Sequence, residues 1–201
     1  MQNQAFQCVT DFTRRYNIDE SHSIKHSMEV MQFAEKILES EFHTNPQLER
    51  QRDIILASAI LHDMCDHKYV SDEAGAIAEM REYMKEFFTD ADFDIVVSII
   101  TTMSYSKVKK KGYPDLGEYQ FAYHIVREAD LLAAYDIDRC IIYGMAVDKM
   151  TYTMAVERAT VLFAGRVLKY RDDGLFVTSW SQAKSLELHN WALSRTAFVK
   201  K

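Results

Sequence analysis

The chain is poor in turn-forming residues, with 6 glycines and 2 prolines among 201 residues. Tight hairpins draw on Gly and on Asn-Gly or Asp-Gly pairs, so an antiparallel sheet has few places to turn. The expected class is all-α. Cysteine is also sparse: Cys8, Cys65 and Cys140 are odd in number and far apart, which argues against a disulfide framework and for a reducing compartment. No apolar run is long enough to span a bilayer, and the start, Met-Gln-Asn-Gln-Ala-Phe-Gln-Cys, lacks the basic-then-apolar pattern of a secretory signal. A cytoplasmic location with no membrane partner is expected. Basic charge is short as well. With 24 Lys and Arg against 30 Asp and Glu the formal net charge is −6, which disfavours extended nucleic acid as a partner and means that a phosphate ligand must meet a local positive patch or a metal.

What is present is apolar content, 48% of the chain, sufficient for one core in a single domain over 1–201 with about seven or eight helices. A short helix over 4–16 carries Phe6, Val9, Phe12 and Tyr16 on one stripe. The spacing predicts a long helix over 22–42 with Met28, Met31, Ala34, Leu38 and Phe42 on one face and His22 one turn before His26. Thr44-Asn45-Pro46 reads as a stop and restart, leading into a central helical stretch that runs unbroken through 54–69. Ser71 can cap a helix over 72–88, and Thr89 with Asp92 resembles a capping box opening a helix over 90–103. Residues 104–114 combine charge, Gly112 and Pro114 and read as a loop. Helices over 118–136, 138–165 and 179–198 complete the chain, with a break at 171–174.

The informative stretch is 54–69. Residues 54 to 61 are apolar except Ser58, as in a helix buried on most sides, and then His62, Asp63, Asp66, His67 and Lys68 follow closely. Titratable side chains at the end of a buried helix are costly to desolvate unless they pair with each other or with a cation. His62 and Asp63 point about 100° apart around a helix, so they converge on one ion only if other ligands come from elsewhere. Two candidates are His26 and Asp130, the latter a charged residue in a helix that otherwise reads as buried. Imidazole and carboxylate together suit Mn, Fe, Co, Ni or Zn.

His26 in Lys-His-Ser-Met-Glu-Val, the pair Leu61-His62-Asp63, and Asp130 in Glu-Ala-Asp-Leu-Leu, in that order, resemble the HD-domain metal-dependent phosphohydrolases over about 20–145, with the helices of 138–198 packed on that core. The resemblance implies that His26, His62, Asp63 and Asp130 bind one divalent cation, manganese first, with cobalt, nickel, magnesium, zinc or iron as alternatives. On a continuous helix Asp66 lies one turn beyond His62 and faces the same side, which assigns it the role of general base acting on a metal-held water. Several relatives carry Glu there; the shorter Asp makes a relaying water an alternative. The run Asp66-His67-Lys68-Tyr69 is similar to the Asp-x-Lys segment of small nucleotide pyrophosphohydrolases of this superfamily. Lys68 would there bind phosphate, and His67 is a candidate to protonate the leaving group. Ser104-Tyr105-Ser106 is similar to a Ser-aromatic-Ser stretch in the same relatives, and with it Tyr105, Lys107 and Lys110 become candidates for substrate binding, as does His22. No histidine falls between His67 and His124, which argues against a second iron and an oxygenase. The expected function is hydrolysis of a nucleoside triphosphate to release pyrophosphate. A nucleoside monophosphatase, an alarmone hydrolase, another phosphate ester substrate, or a metal-organised nucleotide-binding module without catalysis are the alternatives, and a homodimer is left open.

Overall fold

The computed structural model describes residues 1–199. Ten α-helices occur among them: α1 (Gln2–Tyr16), α2 (Ile24–Glu41), α3 (Arg52–Leu61), α4 (Glu73–Met84), α5 (Asp90–Thr102), α6 (Tyr105–Lys111), α7 (Gln120–Ala133), α8 (Ile137–Ala146), α9 (Tyr152–Gly165) and α10 (Ser179–Val199). The all-α expectation holds, and no strand occurs among the described residues. None of the helices is long and apolar enough to cross a membrane.

The centre is formed by α2, α3 and α7, which pack on one another, with α1 and α5 flanking α3. Every residue from Ile54 to Leu61 is buried. Burying Ile55, Leu56, Ile60 and Leu61 contributes about 1.5–3 kcal/mol each. In α2 the inward face runs through His26, Val30, Ala34, Ile37 and Leu38. Met28, expected on that face, is 44% exposed, because a face that turns His26 inward lies two residues out of phase with Met28.

Caps set several boundaries. Thr89 Oγ1 accepts from the Asp92 backbone N–H at 3.2 Å, as the capping-box reading expected. At α4 the cap is Asp72 rather than Ser71: its carboxylate accepts from Gly75 N at 2.9 Å. A Cβ at Gly75 would lie 2.4 Å from Asp72 Oδ2, so a larger residue there would shift the capping carboxylate.

Three stretches differ from the sequence reading. Residues 105–111 form α6 instead of a loop: Ser104 sits at its N-cap, its three last-turn lysines favour a helix C-terminus, and Gly112 at φ 76° stops it. The expected helix over 138–165 is two helices, α8 and α9. Lys149 is left-handed at φ 56°, and the Thr151 side chain caps α9 by accepting from Met154 N. The two helices approach so closely that a Cβ at Gly144 would lie 3.1 Å from that of Ala155. Finally, the central stretch does not continue helically to Tyr69. α3 ends at Leu61, and i to i+3 bonds follow, Met64 N to Leu61 O at 3.0 Å and Asp66 N to Asp63 O at 3.2 Å. The Asp66 carboxylate then accepts from Lys68 N at 2.9 Å, an Asx-type turn that competes with helix.

The C-terminal segment is fastened to the centre from below. Arg127 donates to Leu175 O at 2.9 Å, and the buried Glu128 carboxylate receives Val177 N at 2.7 Å and Thr178 Oγ1 at 2.7 Å. From there α10 packs on α7, α2 and α8.

Candidate metal centre and cavity

His26 comes from the first turn of α2, His62 and Asp63 from the residues just past α3, and Asp130 from α7. The close packing of these elements brings donor atoms of His26, His62 and Asp130 within 4.8 Å of one another, with Asp63 beside the two histidines. His26 Nε2 lies 3.1 Å from His62 Nε2, 3.5 Å from Asp63 Oδ2 and 3.5 Å from Asp130 Oδ1. His62 Nε2 lies 3.2 Å from Asp63 Oδ2 and 3.7 Å from Asp130 Oδ1.

The set fits a divalent cation on two grounds. The His62 ring is oriented by Nδ1–H donating to Ala59 O at 2.9 Å, which turns Nε2 into the cluster. Asp63 Oδ2 is buried there with no hydrogen-bond partner, an arrangement that leaves a carboxylate lone pair aimed at the other donors. The residues of two imidazoles and two carboxylates are a donor set for first-row metals and do not select among them.

The two imidazoles of the cluster are shifted in opposite directions. Burial opposes a charged His62, but Asp63 and Asp130 outweigh it and push the imidazole up to about 9. His26 goes the other way, down to about 3, through burial and then the Arg139 charge. Asp63 would be raised by burial, yet His62 holds it well below the usual carboxylate range, and Asp130 is likewise held low against burial, by its bond with His26. His62 is thus the protonated partner and His26 the neutral one, and a cation bound among these groups would displace the His62 proton.

Of the four, Asp63 and Asp130 line a cavity of about 330 Å³, within the range of small-molecule sites. His22, Asp66, Lys68 and Tyr105 line it with Asp63 and Asp130. His22 is not on α2 but in the 3-10 turn Glu20–His22 before it, where Ser21 Oγ at 2.6 Å and Tyr69 OH at 3.0 Å both reach Nδ1. Asp66 reaches the cavity by the turn described above, not by one helical repeat from His62, and its Oδ2 is 3.2 Å from Lys68 Nζ. Three expected residues are not brought to the cavity wall. His67 has a side chain 80% exposed and pairs with Asp66 at 3.2 Å. Lys107 donates to Thr101 O at 2.8 Å, the end of α5, and Lys110 is exposed, because a helix carries them around α6 where a loop would have let them fold inward. Besides Lys68, the cavity is lined by Arg139, Arg158 and Arg166, with Tyr143 among them. Sequence reading missed them. The available signal was Arg139 and Tyr143 one turn apart, Arg158 interrupting the apolar pattern of α9, and Arg166 just past its end.

The HD domain family matches residues 23–140, more than half of the chain. The chain belongs to the HD domain family. HD domains are generally metal-dependent hydrolases, and they bind divalent metals. The matched span holds all four donors, whereas Arg158 and Arg166 lie beyond it. No curated protein and no solved structure matches the chain.

Proposed function

We propose that this HD domain is a metal-dependent nucleotide phosphohydrolase, and specifically a nucleoside triphosphate pyrophosphohydrolase. The observation that carries the proposal is the convergence of His26, His62, Asp63 and Asp130 beneath a cavity that also presents Asp66 and Lys68. Those four side chains would hold the cation, which when bound supplies a Lewis acid for phosphoryl oxygen and an acidified water.

The chain's own residues supply the rest. Lys68 carries the point charge for a phosphate oxygen, and in the ligand-free arrangement that charge is spent on Asp66. A phosphate arriving in the cavity competes for the same ammonium. As Lys68 swings to the phosphate, the Asp66 carboxylate is released to take a proton from the attacking water, directly or through one relaying water. His22 presents a ring nitrogen to the cavity while its Nδ1 is held by Ser21 and Tyr69, and that orientation suits it to hydrogen-bond a substrate oxygen. Tyr105 offers a ring face beside it. His67, Lys107 and Lys110 are left to a secondary part, drawing anions toward the opening.

Hydrolysis of nucleoside mono-, di- and triphosphates with Mn, Co, Ni and Mg, scored for phosphate against pyrophosphate, tests the proposal. Pyrophosphate from triphosphates is the expected product. Phosphate from monophosphates would instead make it a monophosphatase, and saturable nucleotide binding with no product would make it a binding module.

A further inference from the structure

We infer that the cavity contains a second anion subsite, built from Arg139, Arg158 and Arg166, that takes the phosphates of a polyphosphate chain not held at the metal centre. The inference rests on the hydrolase reading for what lies at the metal, but its observations are separate. In a protein of net charge −6, three guanidinium groups line one cavity. All three are half-buried, and although Asp63, Asp66, Asp130 and Asp136 line the same cavity, none of these four pairs with an arginine of the wall at ion-pair distance. Of the three arginines only Arg158 has a carboxylate partner among the described residues, Asp148 at 3.2 Å.

The two others are held by the same edge. Arg139 donates from Nε to Ser21 O at 2.8 Å, and Arg166 donates from Nε to Tyr170 OH at 3.0 Å. Fixing Nε orients each plane and leaves its two terminal amino groups, the fork that matches phosphate oxygens. Tyrosine faces hold the planes as well: Arg166 lies 4.4 Å from the Tyr105 ring centre and Arg158 lies 5.4 Å from that of Tyr143. Lys68 lies over that same Tyr143 ring at 6.0 Å. The basic wall therefore runs on from the lysine beside Asp66 to the arginines of α9 and the turn after it. A chain of two or more phosphates fits such a wall, whereas a single phosphate at the metal leaves its far end unmatched. Arg158 and Arg166 lie outside the span that matches the HD domain, whereas Arg139 and Lys68 lie inside it, so the wall is completed by the segment after that span.

The test is titration calorimetry in magnesium buffer with two probes that are not hydrolysed, methylphosphonate and methylenediphosphonate. The unaltered protein should bind the bisphosphonate at least about 30-fold more tightly than the monophosphonate, from charge-assisted bonds of ~1.5–3 kcal/mol each. Arg166→Gln and Arg158→Gln should each cut that preference about tenfold, with Arg166→Lys restoring part of it. Equal affinity for both probes in the unaltered protein, or a preference unchanged in a folded Arg158→Gln/Arg166→Gln protein, overturns the subsite. The hydrolase reading fails separately: no turnover of any phosphoester with the bisphosphonate preference intact would remove the reaction and leave the subsite standing.

Discussion

A proton held on His62 makes metal binding and pH one equilibrium. With His62 raised to about 9, the metal-free protein at pH 7 carries an imidazolium where the cation must sit. Calorimetry at pH 7 in buffers of different ionisation enthalpy should therefore record about one proton released per metal bound, and affinity should rise about tenfold per pH unit toward pH 9. Zero proton release would mean that His62 is already neutral. The same shift has a stability consequence of definite sign. A base whose folded value is raised stabilises the fold most fully below its unfolded value, about 6.5, and loses that contribution as pH rises through the folded value. The metal-free protein should thus soften between pH 6.5 and 9. Asp66 makes a second prediction at this scale. Asp66→Asn keeps an acceptor for Lys68 N but cannot take a proton, so it should lower kcat by about 10²–10⁴ while metal content, read by elemental analysis, stays as it was. A variant with undiminished kcat would remove Asp66 from the proton path.

Helices place these residues, and the buried bonds between helices decide how firmly. Glu128 sits two residues before Asp130 on α7 and accepts from Val177 N and Thr178 Oγ1. Glu128→Ala leaves buried donors without an acceptor and should cost about 2–4 kcal/mol in urea unfolding; Glu128→Gln, which keeps one carbonyl oxygen, should cost less. A loss below about 0.5 kcal/mol, the size of an ordinary surface change, would show that water replaces the carboxylate. Elements were legible where local chemistry and burial agreed. The run from Ile54 to Leu61 and the Thr89 cap each say the same thing at both levels, and the three ordered fragments around His26, His62 and Asp130 carried enough to expect the donors to meet. Legibility stopped where a side chain competes with the backbone. Past the end of α3 at Leu61 the Asp66 Asx turn, without Gly or Pro, keeps the chain from resuming a helix, and the left-handed Lys149 with the Thr151 cap splits α8 from α9. A lysine-rich stretch looked like a loop for its charge, yet charge at a helix C-terminus is favourable, and α6 formed. The arginine wall was hidden for a different reason. Its members come from α8, α9 and the turn beyond, and only the α8 to α9 hairpin, invisible while 138–165 read as one helix, turns them to one cavity.

At the scale of the whole molecule, the four donors tie together the three helices whose mutual packing makes the centre. Without a cation, a charged His62 offsets only one of the two carboxylates at that point, and the contacts among His26, His62, Asp63 and Asp130 link α2, the end of α3 and α7. A cation that binds only this folded arrangement stabilises it by mass action, about 2.7 kcal/mol at a hundredfold excess over Kd. For a chain of this length that is a rise in Tm of about 5–10 °C, and it should grow with the logarithm of metal concentration. Removing metal with a chelator should lower Tm by the same amount, and hydrogen exchange should rise first in the opening turn of α2 and around Asp130 on α7, while α5 and α10, which supply no donor, should follow only with global unfolding. His26→Ala provides the control. It removes one donor along with the buried ring, so its Tm should no longer respond to metal. Should the His26→Ala protein gain as many degrees from metal as the unaltered chain, the cation would be binding elsewhere and the three helices would owe it nothing.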